Sequence, residues 1–118
     1  MNINDARVNV NKETLCLFPV HLLGRVSTVP SYNSREIPVI EDACEAMGSS
    51  FRSHKAGTWG TMGTFSFFPS HTITTGEGGM IVTNDPVLAD LCRRLRNHAK
   101  LSKSNFHFDM VGWNGKMT

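Results

Sequence analysis

Four apolar runs, none longer than seven residues, decide what this chain can fold into: Thr14–Val20 (TLCLFPV), Ile37–Glu41 (IPVIE), Thr64–Phe68 (TFSFF) and Met80–Thr83 (MIVT). Runs this short, set off by loops that carry glycine and proline, read as strands. The first two read as buried, and Pro38 sits at the start of its run, where a missing N–H is tolerated. The third alternates and is rich in aromatics, and Gly76–Gly79 turns the chain into the fourth. One helix is well signalled. Asp85 is placed to cap it, Pro86 suits its first position, and Val87, Leu88, Leu91 and Leu95 recur at helical spacing toward a core. Together these elements predict an α/β layer with a largely parallel sheet.

The stretches between them carry less. Residues 1–13 are polar and almost without period, and Asp42–Met47 is expected to open a short helix. Residues 52–63 hold three glycines and read as turns. Parallel neighbours need crossovers of about a dozen residues or more. Residues 25–36 (RVSTVPSYNSRE) barely reach that and lack an amphipathic pattern, so the chain reads as part of a sheet.

Composition narrows the classes. A chain of 118 residues suffices for one small domain, with 40% apolar and 19% charged residues and a net charge of +2. Arg93, Arg94, Arg96 and Lys100 cluster near the helix end, where cations suit the helix dipole, and they lack the interleaved aromatics of a nucleic-acid surface. No run approaches the roughly 20 apolar residues of a membrane span. Cys16, Cys44 and Cys92 are far apart in apolar stretches, which favours buried free thiols in a reducing cytosol over disulfides or a metal site. The five histidines show no helical i, i+4 pairing for zinc.

Asp42 stands just past the end of a buried strand, where the ligand-facing loops of open α/β sheets lie, and Glu45, Ser66 and His71 are the other candidates. Asp42 either caps a helix or pairs with a cationic ring nitrogen, and Glu45, three residues on, equally fits a capping box. Ser66 lies on the polar face of a strand or helps to hold a phosphate. His71 follows Pro69-Ser70, and a lone histidine is more often structural than catalytic. The glycines of TTGEGG are not a Walker loop, since no G-K-[ST] follows.

Three segments taken together are far more specific. PVHLLG (Pro19–Gly24), VIEDACEAMGS (Val39–Ser49) and GTFSFFPSHTITTGEGGMIVTND (Gly63–Asp85) resemble the DegT/DnrJ/StrS family of pyridoxal-phosphate-dependent sugar aminotransferases. LRNHA (Leu95–Ala99) and FHFDMVGWNGKM (Phe106–Met117) are similar to later segments of that family, in the same order. The resemblance implies an aspartate-aminotransferase-like large domain of fold type I, with a mostly parallel sheet, in a homodimer that shares its active sites. It implies that Asp42 pairs with the pyridinium nitrogen of pyridoxal or pyridoxamine 5′-phosphate. A carboxylate there keeps the nitrogen protonated, so that the ring can accept electrons. By the same resemblance Glu45 lies near the ring hydroxyl, Ser66 contacts the phosphate, and Asn114 reaches a phosphate in the partner subunit.

At one position the sequence departs from most of the family. Ser70-His71 stands where Ser-Lys is usual, and imidazole cannot replace the lysine that bonds the coenzyme covalently. One branch shares this exchange: the 3-dehydratases acting on nucleotide-linked 4-keto-6-deoxy sugars in deoxysugar pathways. It implies a cytoplasmic enzyme in which His71 is the catalytic base, histidine being a good proton carrier near neutral pH. The family's proteins are about three times as long. The chain is therefore expected to be a fragment, 1–118, of the coenzyme-binding large domain, lacking an N-terminal part and the C-terminal small domain. Loss of the lysine in an aminotransferase lineage, or an inactive remnant, are the alternative outcomes.

Overall fold

The computed structural model describes residues 3–28, 37–101 and 107–116. The chain separates into two compact units, Met1–Val82 and Thr83–Thr118.

In the first unit, helix α1 (Ile3–Asn9) forms where the sequence shows almost no period. An extended segment follows and runs parallel to strand β1 (Ile40–Asp42), with bridges Leu17↔Val39 and Val20↔Asp42. A small hairpin joins β2 (Ser50–Phe51) to β3 (His54–Lys55). Strand β4 (Met62–Ser66) then lies parallel to β1, Asp42 opposite Thr64, and β5 (Gly79–Val82) pairs with β4 antiparallel, Ser66 opposite Gly79.

The sheet is therefore mixed, with β5 as its antiparallel member. Its α/β character is as expected, and the four apolar runs all enter it. Three details differ. The first run is buried on one side only: Leu17, Pro19 and His21 point inward, while Phe18 and Val20 are exposed, as period-two alternation requires. Asp42–Met47 makes turns instead of a helix, because Asp42 Oδ1 takes the Cys44 N–H at 3.1 Å and so offers the backbone a competing local bond. Residues 52–63, read as turns, contain the β3 strand and the start of β4. Most of the 25–36 connection lies outside the described residues.

Two small apolar clusters anchor this unit. Leu17 and Val39 pack with Val10 and Ile37. Ala43, Ala46 and Ala56 pack with Val26 and Phe65. Alanines fill the second cluster because backbone approaches so closely there. At Gly63 a Cβ would run into the backbone of Gly57, and at Gly60 into the Val39 carbonyl. Those two glycines let the 57–60 loop lie directly on the sheet.

In the second unit, α2 (Pro86–Leu95) begins as the sequence predicts, Asp85 Oδ1 accepting from Val87 N–H at 2.8 Å and Leu88 N–H at 3.3 Å. Arg93 and Arg94 occupy its last turn, where cations complement the dipole. Val87, expected to face the core, is 74% exposed, while Leu88, Leu91 and Leu95 are half-buried. Arg94 Nη2 reaches both carboxylate oxygens of Asp109 at 2.6 Å, a bond that holds the Asp109 carboxyl below its usual range. Among the described residues, no helix is long and apolar enough to cross a membrane.

The β2–β3 turn carries strain. Arg52 and Ser53, its two central residues, have φ of 46° and 67°, the pattern of a type I′ turn, which favours Asn-Gly. Left-handed backbone costs a side-chain-bearing residue about 1–2 kcal/mol. Replacing the pair (Arg52→Asn with Ser53→Gly) should raise the unfolding free energy of the first unit by about 1 kcal/mol in a urea titration.

Candidate active site

The carboxyl ends of the parallel strands β1 and β4 lie side by side, and this is the edge at which open α/β sheets bind ligands. Asp42 ends β1 and faces the same side of the sheet as its partner Thr64. Ser66, two residues further along β4, faces that side too, about 8 Å from Asp42 by strand geometry. The sheet register thus brings Asp42 and Ser66 together.

Each is held locally. The Asp42 carboxylate accepts from Cys44 N–H and lies beside the Cys44 thiol. Burial pushes that thiol up to about 11, and the hydrogen bond and charge of Asp42 add to the rise. Ser66 Oγ accepts from Phe68 N–H at 3.2 Å, which leaves its hydroxyl proton to donate elsewhere. Beyond Ser66 the chain turns sharply, His71 N–H bonding Phe68 O at 3.0 Å and Thr75 N–H bonding Phe67 O at 3.1 Å. The His71 ring is half-buried, and its Nδ1 is enclosed with no partner among the described residues.

Glu45 does two structural jobs. Its Oε2 accepts from Leu23 N–H at 3.0 Å and its carbonyl from Gly24 N–H at 2.9 Å. These bonds hold a one-turn 3-10 helix (Leu22–Gly24) in which Leu23 has a φ of 51°. Asn114 belongs to the second unit, where it is exposed and bridges Asn97. Cys16, Cys44 and Cys92 are not joined in disulfides and are partly, not fully, buried. Lys55 leans on Gly48 O at 3.4 Å.

Beneath the site lies a pair that reading of the sequence did not single out. His21 and Glu41 are both fully buried, with Nε2 2.8 Å from Oε2. Glu41 Oε2 also accepts from Gly57 N–H at 2.8 Å, and Oε1 from Trp59 and Gly60 N–H, both at 2.6 Å. Four donors fill the four lone-pair sites of a carboxylate and leave no place for an acid proton. Ser27 N–H donates to His21 Nδ1 at 3.0 Å, so Nε2 carries the ring's proton. The signal was available: Leu17, Pro19 and His21 share one alternation phase, as do Val39 and Glu41, and the two runs are neighbours.

The whole chain, residues 1–118, matches the DegT/DnrJ/EryC1/StrS aminotransferase family. It belongs to that family. It is 35% identical over 122 residues to a GDP-perosamine synthase of Vibrio cholerae, covering 100% of this chain and 33% of the relative. With a GDP-4-keto-6-deoxy-D-mannose 3-dehydratase of Escherichia coli O55:H7 it shares 39% identity over 102 residues, covering 83% and 26%. The solved E. coli 3-dehydratase with bound hydrated pyridoxal phosphate superposes at a TM-score of 0.87 and 34% identity, over 98% of this chain and 35% of that one. The chain thus spans about a third of the length of the curated relatives it matches. The fold is that of the pyridoxal-phosphate-dependent aminotransferases, and pyridoxal phosphate is the cofactor of this family.

The residues present suit that cofactor. A carboxylate at the end of β1, a serine hydroxyl on the same face and an enclosed, unpartnered imidazole nitrogen offer what a cationic ring nitrogen, a phosphate and a proton-transfer step require. Because the folded Cys44 pKa lies above its ordinary 9.0, its contribution to stability is whole below pH 9 and is lost as pH rises toward 11. At pH 8, iodoacetamide should modify Cys44 at least about tenfold more slowly than a small free thiol. Asp42→Asn should speed that modification, as peptide mapping by mass spectrometry would show.

Proposed function

We propose that this chain is a segment of the large, coenzyme-binding domain of a nucleotide-sugar enzyme of the 3-dehydratase type. Its substrate is a nucleotide-linked 4-keto-6-deoxy sugar, and His71 acts as the base. The observation that supports this most is His71 itself, an imidazole set where most of the family has lysine, half-buried and with Nδ1 enclosed. A solved form of the related 3-dehydratase carries lysine in place of a histidine and asparagine in place of the serine before it. Ser70-His71 repeats those two residue types in that order.

When bound, pyridoxamine phosphate supplies an amine for the sugar's keto carbon and a conjugated ring that accepts electrons. Asp42 then faces the ring nitrogen and keeps it protonated by its charge. Ser66 donates its hydroxyl proton to the phosphate. Glu45, with Oε2 committed to Leu23, has Oε1 to offer the ring hydroxyl. Asn114 serves a phosphate across a homodimer. His71 moves the proton, and a histidine is suited to do so near neutral pH. Lys55 does not substitute for a covalent anchor, since its amine lies against Gly48 on the hairpin side. We place the enzyme in the cytoplasm, in deoxysugar or polysaccharide synthesis.

A second reading has its own support: the GDP-perosamine synthases of V. cholerae and E. coli O157:H7 are 35% and 38% identical to this chain. On that reading the chain descends from an aminotransferase and has lost its lysine.

Titration with pyridoxamine phosphate, followed by absorbance and fluorescence, tests the site. Saturable binding, weakened about tenfold or more by Asp42→Asn, is expected, and a chain that takes up none at millimolar concentration is a remnant without the site. With pyridoxal phosphate, His71→Lys should give a borohydride-trappable adduct that the parent lacks. Trapping in the parent would remove His71 from the role of base.

A further inference from the structure

We propose that His21 and Glu41 are positioning residues for the coenzyme site, a buried pair that fixes Asp42 from the opposite face of the sheet. This rests on the reading of Asp42 as the partner of the ring nitrogen.

Neighbours on a strand point to opposite faces, so Glu41 and Asp42 work on two sides of one short strand. On the buried side, Glu41 is tied on both flanks of β1. His21 holds it from the extended segment at 2.8 Å, and Gly57, Trp59 and Gly60 hold it from the loop that leads into β4. His21 also grips Asp42 directly. Its backbone N–H donates to Asp42 O at 2.9 Å, and Asp42 N–H donates to Pro19 O at 2.9 Å. The same histidine therefore fixes the main chain of Asp42 and the side chain before it. The Ser27 N–H on Nδ1 sets the ring's tautomer, so a ring flip would break two hydrogen bonds at once.

Charge points the same way. Two adjacent carboxylates would compete for any cation near the strand end. Glu41 is instead met by three backbone N–H dipoles and a neutral imidazole N–H, so its charge is satisfied inside the protein. Asp42 is left as the carboxylate that faces the ligand side. The Thr64 hydroxyl completes the frame by bonding Glu41 O at 3.1 Å on the β4 flank. Supporting bonds of this kind hold a functional side chain to within about 0.5 Å of its working geometry.

The test compares the 118-residue chain with Glu41→Gln, His21→Gln and Leu17→Ala. The last variant trims the Leu17–Val39 cluster and leaves the pair intact. Urea unfolding ranks their stabilities. Without coenzyme, the Cys44 amide resonance reports where Asp42 Oδ1 lies, because that N–H bonds it. Pyridoxamine phosphate titration reports the site. Glu41→Gln and His21→Gln should shift the Cys44 amide and weaken binding at least about tenfold. Leu17→Ala, even at equal loss of stability, should leave the resonance in place and change binding by no more than about twofold. His21→Gln is the milder substitution, since its amide still donates to Glu41, and it carries the test if Glu41→Gln does not fold. The proposal is overturned if Leu17→Ala alters both readouts as much as the pair variants, or if the pair variants leave the Cys44 amide unmoved. A wild-type chain that binds no pyridoxamine phosphate counts against the coenzyme reading, and the Cys44 amide then judges the pair alone.

Discussion

A single carboxylate organises the first unit. Glu41 is fully buried, and four N–H groups converge on it from two separate stretches of chain. Removing such a group from water is costly, and only a complete set of donors offsets the cost. The demand for that set explains much of the surrounding sequence. Gly57 and Gly60 bring backbone donors within reach, Gly63 clears space for Gly57, and Ser27 turns the histidine so that its proton meets the acid. The apolar core nearby is small, built largely of alanine, so this polar knot fixes the register of β1 between its neighbours.

The strands were legible in the sequence because short apolar runs bounded by glycine and proline have few other uses. Helix α2 was legible because Asp85, Pro86 and the spaced leucines agree on one start and one phase. What failed was local competition. Asp42–Met47 looked like a helix start, but the Asp42 side chain satisfies Cys44 N–H in a turn, and Glu45 reaches to Leu23 instead of back to its own first turn. Periodicity also gave no warning that β5 would run antiparallel, since direction is set by the 67–78 loop closing on itself through Phe67 and Gly78. Helix α1 was missed because its residues are polar on most sides.

The site was partly legible. Position past a strand end made Asp42 a candidate, Ser66 became one only through resemblance, and the register places both on one face. His71 became meaningful only through resemblance, since no spacing rule separates a base from a structural histidine. The His21–Glu41 pair was hidden for the converse reason: its residues look like loop and strand-end polar groups until the alternation phases of two distant runs are laid side by side. The candidate groups Asp42 and Ser66 lie on one face of the sheet, and the buried His21–Glu41 pair lies on the other.

The two tryptophans fall one to each compact unit, Trp59 in the first and Trp113 in the second. Their surroundings differ. Trp59 is half-buried, stacked on His54 with ring centres 4.3 Å apart, and its backbone N–H is one of the four donors to Glu41. Trp113 is 65% exposed. The protein therefore carries two native optical probes with distinguishable emission, one attached to the buried knot and one to the outer surface of the other unit. Loosening of the knot will be visible in the bluer of the two signals without any label.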